Sequence, residues 1–183
     1  MTQEMSRKEA RLKVNEMLSA GEKKQDVFAA LSGRGVKDRV LAYYIASYVD
    51  PQRCAQNKVH RGVVIALGYL QVLVAIGATV FLASETSVTF GLVFGAFVLA
   101  FAGLFVWGFT KNIAGVYNAF LILTLTQTPR QLAGFSEDPT ATVIGLAIGA
   151  AIYAYVWFVR QRLFPDFVFL LPRKAGGQYV FAD

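Results

Sequence analysis

Between residues 62 and 159 the chain carries only five charged side chains in 98 residues. No other feature limits the fold as much. An ordinary soluble domain is about 25% charged, whereas this 183-residue chain is 16% charged and 55% hydrophobic. The charge is also uneven: residues 1–61 hold 12 of the 18 Lys and Arg and 7 of the 12 Asp and Glu. That excludes a disordered chain, a disulfide scaffold (there is one Cys) and a simple soluble globule. What remains is a charged head on a membrane-embedded body, an all-α integral membrane protein.

Three stretches are uncharged and long enough to cross a hydrocarbon core, which takes roughly 20 apolar residues in a helix. They are residues 63–83, 89–109 and 141–159, and Asp138-Pro139 ahead of the last reads as an N-cap followed by proline in the first turn. Unbroken apolarity without strict alternation makes them helices rather than outer-membrane strands. Residues 112–127 are the ambiguous piece. Sixteen residues reach about 24 Å, short of a core of roughly 30 Å, and Asn118 sits in the middle.

Charge distribution decides that segment, because cytoplasmic flanks collect Lys and Arg. Four spans leave 17 basic residues on the cytoplasmic side and Arg130 alone outside; three spans split them 14 and four. Four crossings are therefore expected, with both termini in the cytoplasm. The loops at residues 84–88 and 128–140 face outward, the second net negative through Glu137 and Asp138. A segment 112–127 that dips in and returns, or lies flat at the surface, is the alternative.

The expected organisation is a cytosolic basic head over residues 1–61, a transmembrane bundle over 62–160, and a cytosolic juxtamembrane tail over 161–183. The first span is expected to act as an uncleaved targeting segment, since no short basic region leads directly into an apolar core. The location implied is the cell membrane, the inner one in a bacterium.

In the head, Ser6 and Glu9 form a capping-box pattern opening a helix that ends before Gly21, with Ala10, Val14, Met17 and Leu18 on one face. Residues 22–31 continue as a second helix and residues 36–48 as a third, stopped by Asp50-Pro51. Lys37, Arg39 and Tyr43 on the third helix form the expected docking face for a protein partner. Helix, glycine turn, helix also outlines a DNA reader. Asp38, in the first turn of the would-be recognition helix, would oppose phosphate there, so nucleic acid is not the expected partner.

At the bilayer surface, Arg53, Lys58, His60, Arg61, Trp107, Trp157, Arg160 and Arg162 are placed as interfacial anchors, in contact with lipid headgroups. Gly91 with Gly95 and Gly145 with Gly149 form small-xxx-small strips that let a neighbouring backbone approach. Their plain use is packing within one chain; their functional use is a seam between copies in a homo-oligomer.

The three uncharged spans disfavour an ion-coupled transporter, which needs an ionisable group on its pathway. His60 and Cys54, six positions apart, point to different faces of a helix. No metal-ligand spacing and no phosphate-binding or dinucleotide fingerprint occurs. Hence no enzyme, no cofactor and no metal site is expected. The tail reads either as a β-hairpin, pairing residues 167–171 with 178–181 around a loop at 172–177, or as an interfacial aromatic anchor. The expected function is that of a membrane accessory or scaffold protein whose head docks a partner. The alternatives are an oligomeric passive pore or small-solute carrier, and a membrane-tethered DNA binder.

Overall fold

The fold was read from a computed structural model that describes residues 5–136 and 138–182. It is mostly helical and divides into two compact units, one formed by Met1–Arg53 with Arg160–Asp183, the other by Cys54–Val159.

The first unit is built on three short helices. In α1 (Arg7–Ser19), the Ser6 hydroxyl accepts from the Glu9 amide at 3.3 Å, and the Glu9 carboxylate accepts from the Ser6 amide at 2.7 Å. Those bonds satisfy two of the four amides that a helix start leaves unpaired. The Ser6 amide, ahead of the Ser6 hydroxyl, holds the Glu9 carboxyl below its ordinary range. Gly21 ends the helix at φ +88°, with the Glu22 and Gly21 amides bonding back to the Met17 and Leu18 carbonyls. Helices α2 (Lys24–Leu31) and α3 (Asp38–Ala46) follow. Ala10, Val14, Leu18, Val27, Leu31, Val36, Leu41 and Ile45 are buried together, with Met17, Phe28, Val40, Tyr44 and Tyr48 half-buried around them.

Helix α3 has a second buried side, which its periodicity did not indicate. Ala42 and Ala46 are fully covered, and the helix packs against a strand of the C-terminal tail.

That tail forms two successive hairpins, which corrects the expected pairing of residues 167–171 with 178–181. Strand β1 (Phe167–Val168) pairs with β2 (Leu171–Pro172), and β3 (Lys174–Ala175) with β4 (Gln178–Tyr179). The reason is local. Gly176 and Gly177 both take positive φ, which a two-residue turn of the hairpin type needs and glycine adopts without steric cost. The six-residue loop expected over 172–177 shrinks to those two glycines. The remaining residues of the run then pair with their near neighbours.

A six-residue helix α4 (Pro51–Gln56) leads into the second unit. Asp50 and Pro51, expected to stop a helix, also start this one, the Asp50 carboxylate accepting from the Gln52 amide at 2.8 Å. The first compact unit ends within α4, at Arg53. The long helices are α5 (Lys58–Glu85), α6 (Val88–Thr110), α7 (Ala114–Ala133) and α8 (Pro139–Leu163), with a 3₁₀ turn Gly134–Ser136 between the last two. Three of them, α5, α6 and α8, are long and apolar enough to cross a membrane. Each extends past its expected span by one to a few residues at both ends. Helix α7 is continuous over 20 residues, with Pro129 inside it, and does not turn back on itself. The Asp138 side chain caps α8 by accepting from the Ala141 amide at 2.9 Å. Glu137, counted in the net-negative outer loop, lies outside the described residues.

Glycines join α5 to α6. A Cβ on Gly91 would collide with Ala83, and one on Gly95 with the Thr79 side chain. Between α6 and α7 the same holds for Gly108 against Val116. The α6–α7 turn passes through Asn112, whose φ of 51° lies in the left-handed region. The Ile113 amide bonds the Gly108 carbonyl at 2.9 Å and the Asn112 amide the Phe109 carbonyl at 3.1 Å, which closes the helix end.

Candidate functional site

The residues singled out in the sequence fall into four groups in the structure. The first is the expected docking face. Lys37 and Arg39 are exposed on α3. Tyr43 is half-buried, its ring edge-on to Phe167 with centroids 5.5 Å apart. It therefore fastens the tail to α3 instead of facing solvent. Tyr43 follows Ala42 in sequence, so it borders the side that the tail covers.

The second group is the set of interfacial residues. Lys58, Trp107 and Arg162 are exposed, and Arg53 pairs with Asp50 at 3.3 Å. Trp157 stacks on Tyr153 at 6.3 Å. Arg61 is engaged within its unit: its Nε donates to the Asn112 side-chain oxygen at 2.7 Å and an Nη to the Cys54 carbonyl at 3.2 Å. The His60 Nδ1 lies 3.0 Å from the Tyr155 hydroxyl, with Phe158 edge-on to the ring at 5.3 Å.

Arg160 departs furthest from the expectation. Its position in the sequence marks it as an interfacial anchor, but in the fold it is 0% exposed. The guanidinium donates to the Phe169 carbonyl and lies over the Phe167 ring, 5.1 Å from its centroid. Phe169 has a φ of 54°, an uncommon conformation for an aromatic residue, at the tip of the first hairpin. Arg160 thus holds the tail's tightest turn. A charge placed just after an apolar run reads as an anchor by position alone, and only the folded tail supplies the carbonyl and ring that cover it.

The glycine pairs form the third group, and they separate. Gly91 and Gly95 are buried in the α5–α6 contact, whereas a Cβ on Gly145 or Gly149 would meet nothing within 4 Å. The two motifs look alike in sequence and sit in different surroundings.

The fourth group has chemistry that the sequence had not assigned to a site. A groove of about 430 Å³ opens among α5, α6, α7 and α8 within the second unit. Aliphatic and aromatic side chains such as Val98, Phe105 and Ile148 make most of its wall, and its polar side chains are Gln71, Thr124 and Gln127. Thr124 satisfies its own hydroxyl on the Phe120 carbonyl at 2.9 Å. Among the described residues no hydrogen bond within the chain engages the Gln71 or Gln127 amide. Gln71 and Gln127 come from different helices, so nothing in local spacing signals that they line one groove.

The first unit has its own buried polar centre. Asp166, 1% exposed, accepts from Lys24 Nζ at 2.6 Å and from the Ala182 amide at 2.5 Å. Its own carbonyl accepts from the Arg173 amide at 2.7 Å. Cys54 is buried. Among the described residues no three His, Cys, Asp or Glu side chains gather closely enough to hold a metal ion.

The fold thus defines a helical protein with three helices long and apolar enough to cross a membrane, together with a unit assembled from both chain ends. No protein-family model matches the chain, and neither a curated protein nor a solved structure is significantly similar to it.

Proposed function

We propose that this chain is a four-span membrane accessory protein with both ends in the cytoplasm, and that its cytosolic unit docks a protein partner. The observation that carries the reading is the buried pair Lys24–Asp166. It belongs to a unit that needs both ends of the chain, so both ends fold on one side of the bilayer. Three crossings would separate them; an even number keeps them together. Helix α7, with 20 residues, reaches about 30 Å and supplies the fourth crossing. The basic residues favour the same arrangement, 17 on the head side and Arg130 opposite.

The docking role is supported by the surface left on the head. Lys37 and Arg39 are exposed on α3, and residues 1–61 carry 12 basic against seven acidic side chains. A partner with an acidic surface fits that face, with charge steering the encounter. Tyr43, occupied by Phe167, is not part of the proposed contact.

Two experiments test the two halves of this reading. In a Cys54→Ser background, a membrane-impermeant maleimide applied to intact cells should label Thr86→Cys and Ser136→Cys. It should reach Ala175→Cys only after permeabilisation. Labelling of Ala175→Cys from outside would mean three spans. For docking, the full chain purified in mild detergent at native abundance should retain a stoichiometric partner that Lys37→Glu with Arg39→Glu loses. A clean homo-oligomer with nothing attached, passing solute in liposomes, would replace docking with the pore.

A further inference from the structure

We infer that the groove among α5, α6, α7 and α8 is a binding site for a neutral lipid carrying a single hydroxyl group, of the long-chain alcohol class. The inference rests on residues 54–159 being embedded in the bilayer and is independent of the docking role.

Size comes first. The groove measures about 430 Å³, within the range of small-molecule sites. Charge comes next. No Asp, Glu, Lys, Arg or His lines it, so an ionised headgroup at that depth would lack a counter-charge.

Polarity then selects among neutral lipids. Gln71 lies near the middle of α5 and Gln127 in the C-terminal half of α7, and both line the groove. Each amide offers donors and an acceptor, and in hydrocarbon there is no water to meet them. The Thr124 hydroxyl donates to the Phe120 carbonyl and keeps only acceptor capacity toward the groove. An alkane would leave both amides unmet. A ketone or ester would accept from their NH₂ groups and leave their carbonyls without a donor. A hydroxyl both donates and accepts, and so can meet either half of a side-chain amide. The apolar wall formed by Val98, Phe105 and Ile148 receives the chain.

The test uses the full-length protein in phosphatidylcholine nanodiscs with three photoreactive probes: hexadecanol, palmitic acid and hexadecane, each with a mid-chain diazirine. Adducts are located by mass spectrometry. Hexadecanol should label groove residues such as Val98 and Ile148 at least five-fold more than hexadecane or palmitate does. Gln71→Leu with Gln127→Leu should abolish that preference while the helical circular dichroism is unchanged. Both substitutions favour membrane insertion, so loss of the fold is not expected to mask the result. Ala102→Phe, which fills the groove, should lower hexadecanol labelling to the background level. Equal labelling by alcohol and alkane, adducts spread over the outer face of α6, or a preference that survives the double substitution would each overturn the site. Scattered adducts on α5–α8 would do so while leaving the membrane reading standing. An absence of adducts from all three probes would overturn both.

Discussion

Lys24 Nζ and the Asp166 carboxylate lie 2.6 Å apart although 142 positions of sequence separate them, and all but 1% of the Asp166 side chain is covered. The bond fastens the C-terminal hairpins onto α2. Around it Phe28 of α2 meets Tyr179 at 5.4 Å and Phe181 at 5.7 Å, so the charged pair has an apolar border that keeps water away.

Removing one partner of such a pair leaves a buried charge without compensation, which typically costs about 3–5 kcal/mol. Lys24→Ala should therefore destabilise the first unit by an amount near the lower end, since the Ala182 amide still reaches Asp166. Replacing both partners, Lys24→Met with Asp166→Leu, should cost less than Lys24→Ala alone. Limited proteolysis of the tail measures this: the single variant should be cut after residue 163 well before the wild type, and the double variant should be cut more slowly than the single one.

The two glycine pairs predict opposite outcomes. At Gly95 a side chain runs into Thr79, and at Gly91 into Ala83. Gly95→Leu should loosen the α5–α6 hairpin, by an overpacking cost of about 1–3 kcal/mol. Gly149→Leu meets open space and should leave the melting temperature of the monomer unchanged. Thermal unfolding in detergent, read by size-exclusion fluorescence, compares the two directly. A shift to smaller particles for Gly149→Leu alone would reveal a seam between copies.

Asn112 serves two purposes at the α6–α7 turn. Its left-handed backbone ends α6, and its side chain accepts from Arg61. Asn112→Gly keeps the first and removes the second, whereas Asn112→Val loses both and adds strain at a φ that a β-branched residue avoids. The glycine variant should cost about 1.5–3 kcal/mol, the loss of one charge-assisted hydrogen bond. The valine variant should cost about 1–3 kcal/mol more. The order wild type, glycine, valine in melting temperature checks the assignment.

The capping box ties stability of the head to acid. The Glu9 carboxyl is held below its ordinary value of 4.5 by the Ser6 amide and hydroxyl. A carboxylate with a lowered folded pKa stabilises the fold fully above its unfolded value, and that contribution is lost as pH falls through the folded one. Stability should thus decline below about pH 4.5, and the portion due to Glu9 should vanish in Glu9→Gln. Ser6→Ala should cost about 1 kcal/mol at neutral pH. Urea unfolding at pH 7 and at pH 3 separates the two effects.

Local pattern made much of this molecule legible. The head helices lie where the sequence put them, and Ala10, Val14 and Leu18, on the face that the spacing indicated, lie in the core with Val27, Leu31, Leu41 and Ile45. Ser6 with Glu9 and Asp138 with Pro139 cap helices as residue type alone suggested. The long apolar runs became α5, α6 and α8 because an unbroken apolar run long enough to span has its backbone hydrogen bonds satisfied within a helix. These properties follow from neighbours within a few turns of the chain, so the sequence determines them.

Partnerships across distance depended on the tertiary structure. Arg160 is covered only because the hairpins fold back over it, and Tyr43 is occupied only because Phe167 arrives there. Gly95 packs and Gly149 does not, although their motifs match, because Thr79 stands opposite only the first. Gln71 and Gln127 share a groove through the arrangement of separate helices. Helical periodicity specifies which face of an element is apolar, but not which residue 50 or 140 positions away will cover it. That choice is made when the elements pack, by shape, by the need to pair buried charge, and by which backbones can approach closely enough to touch.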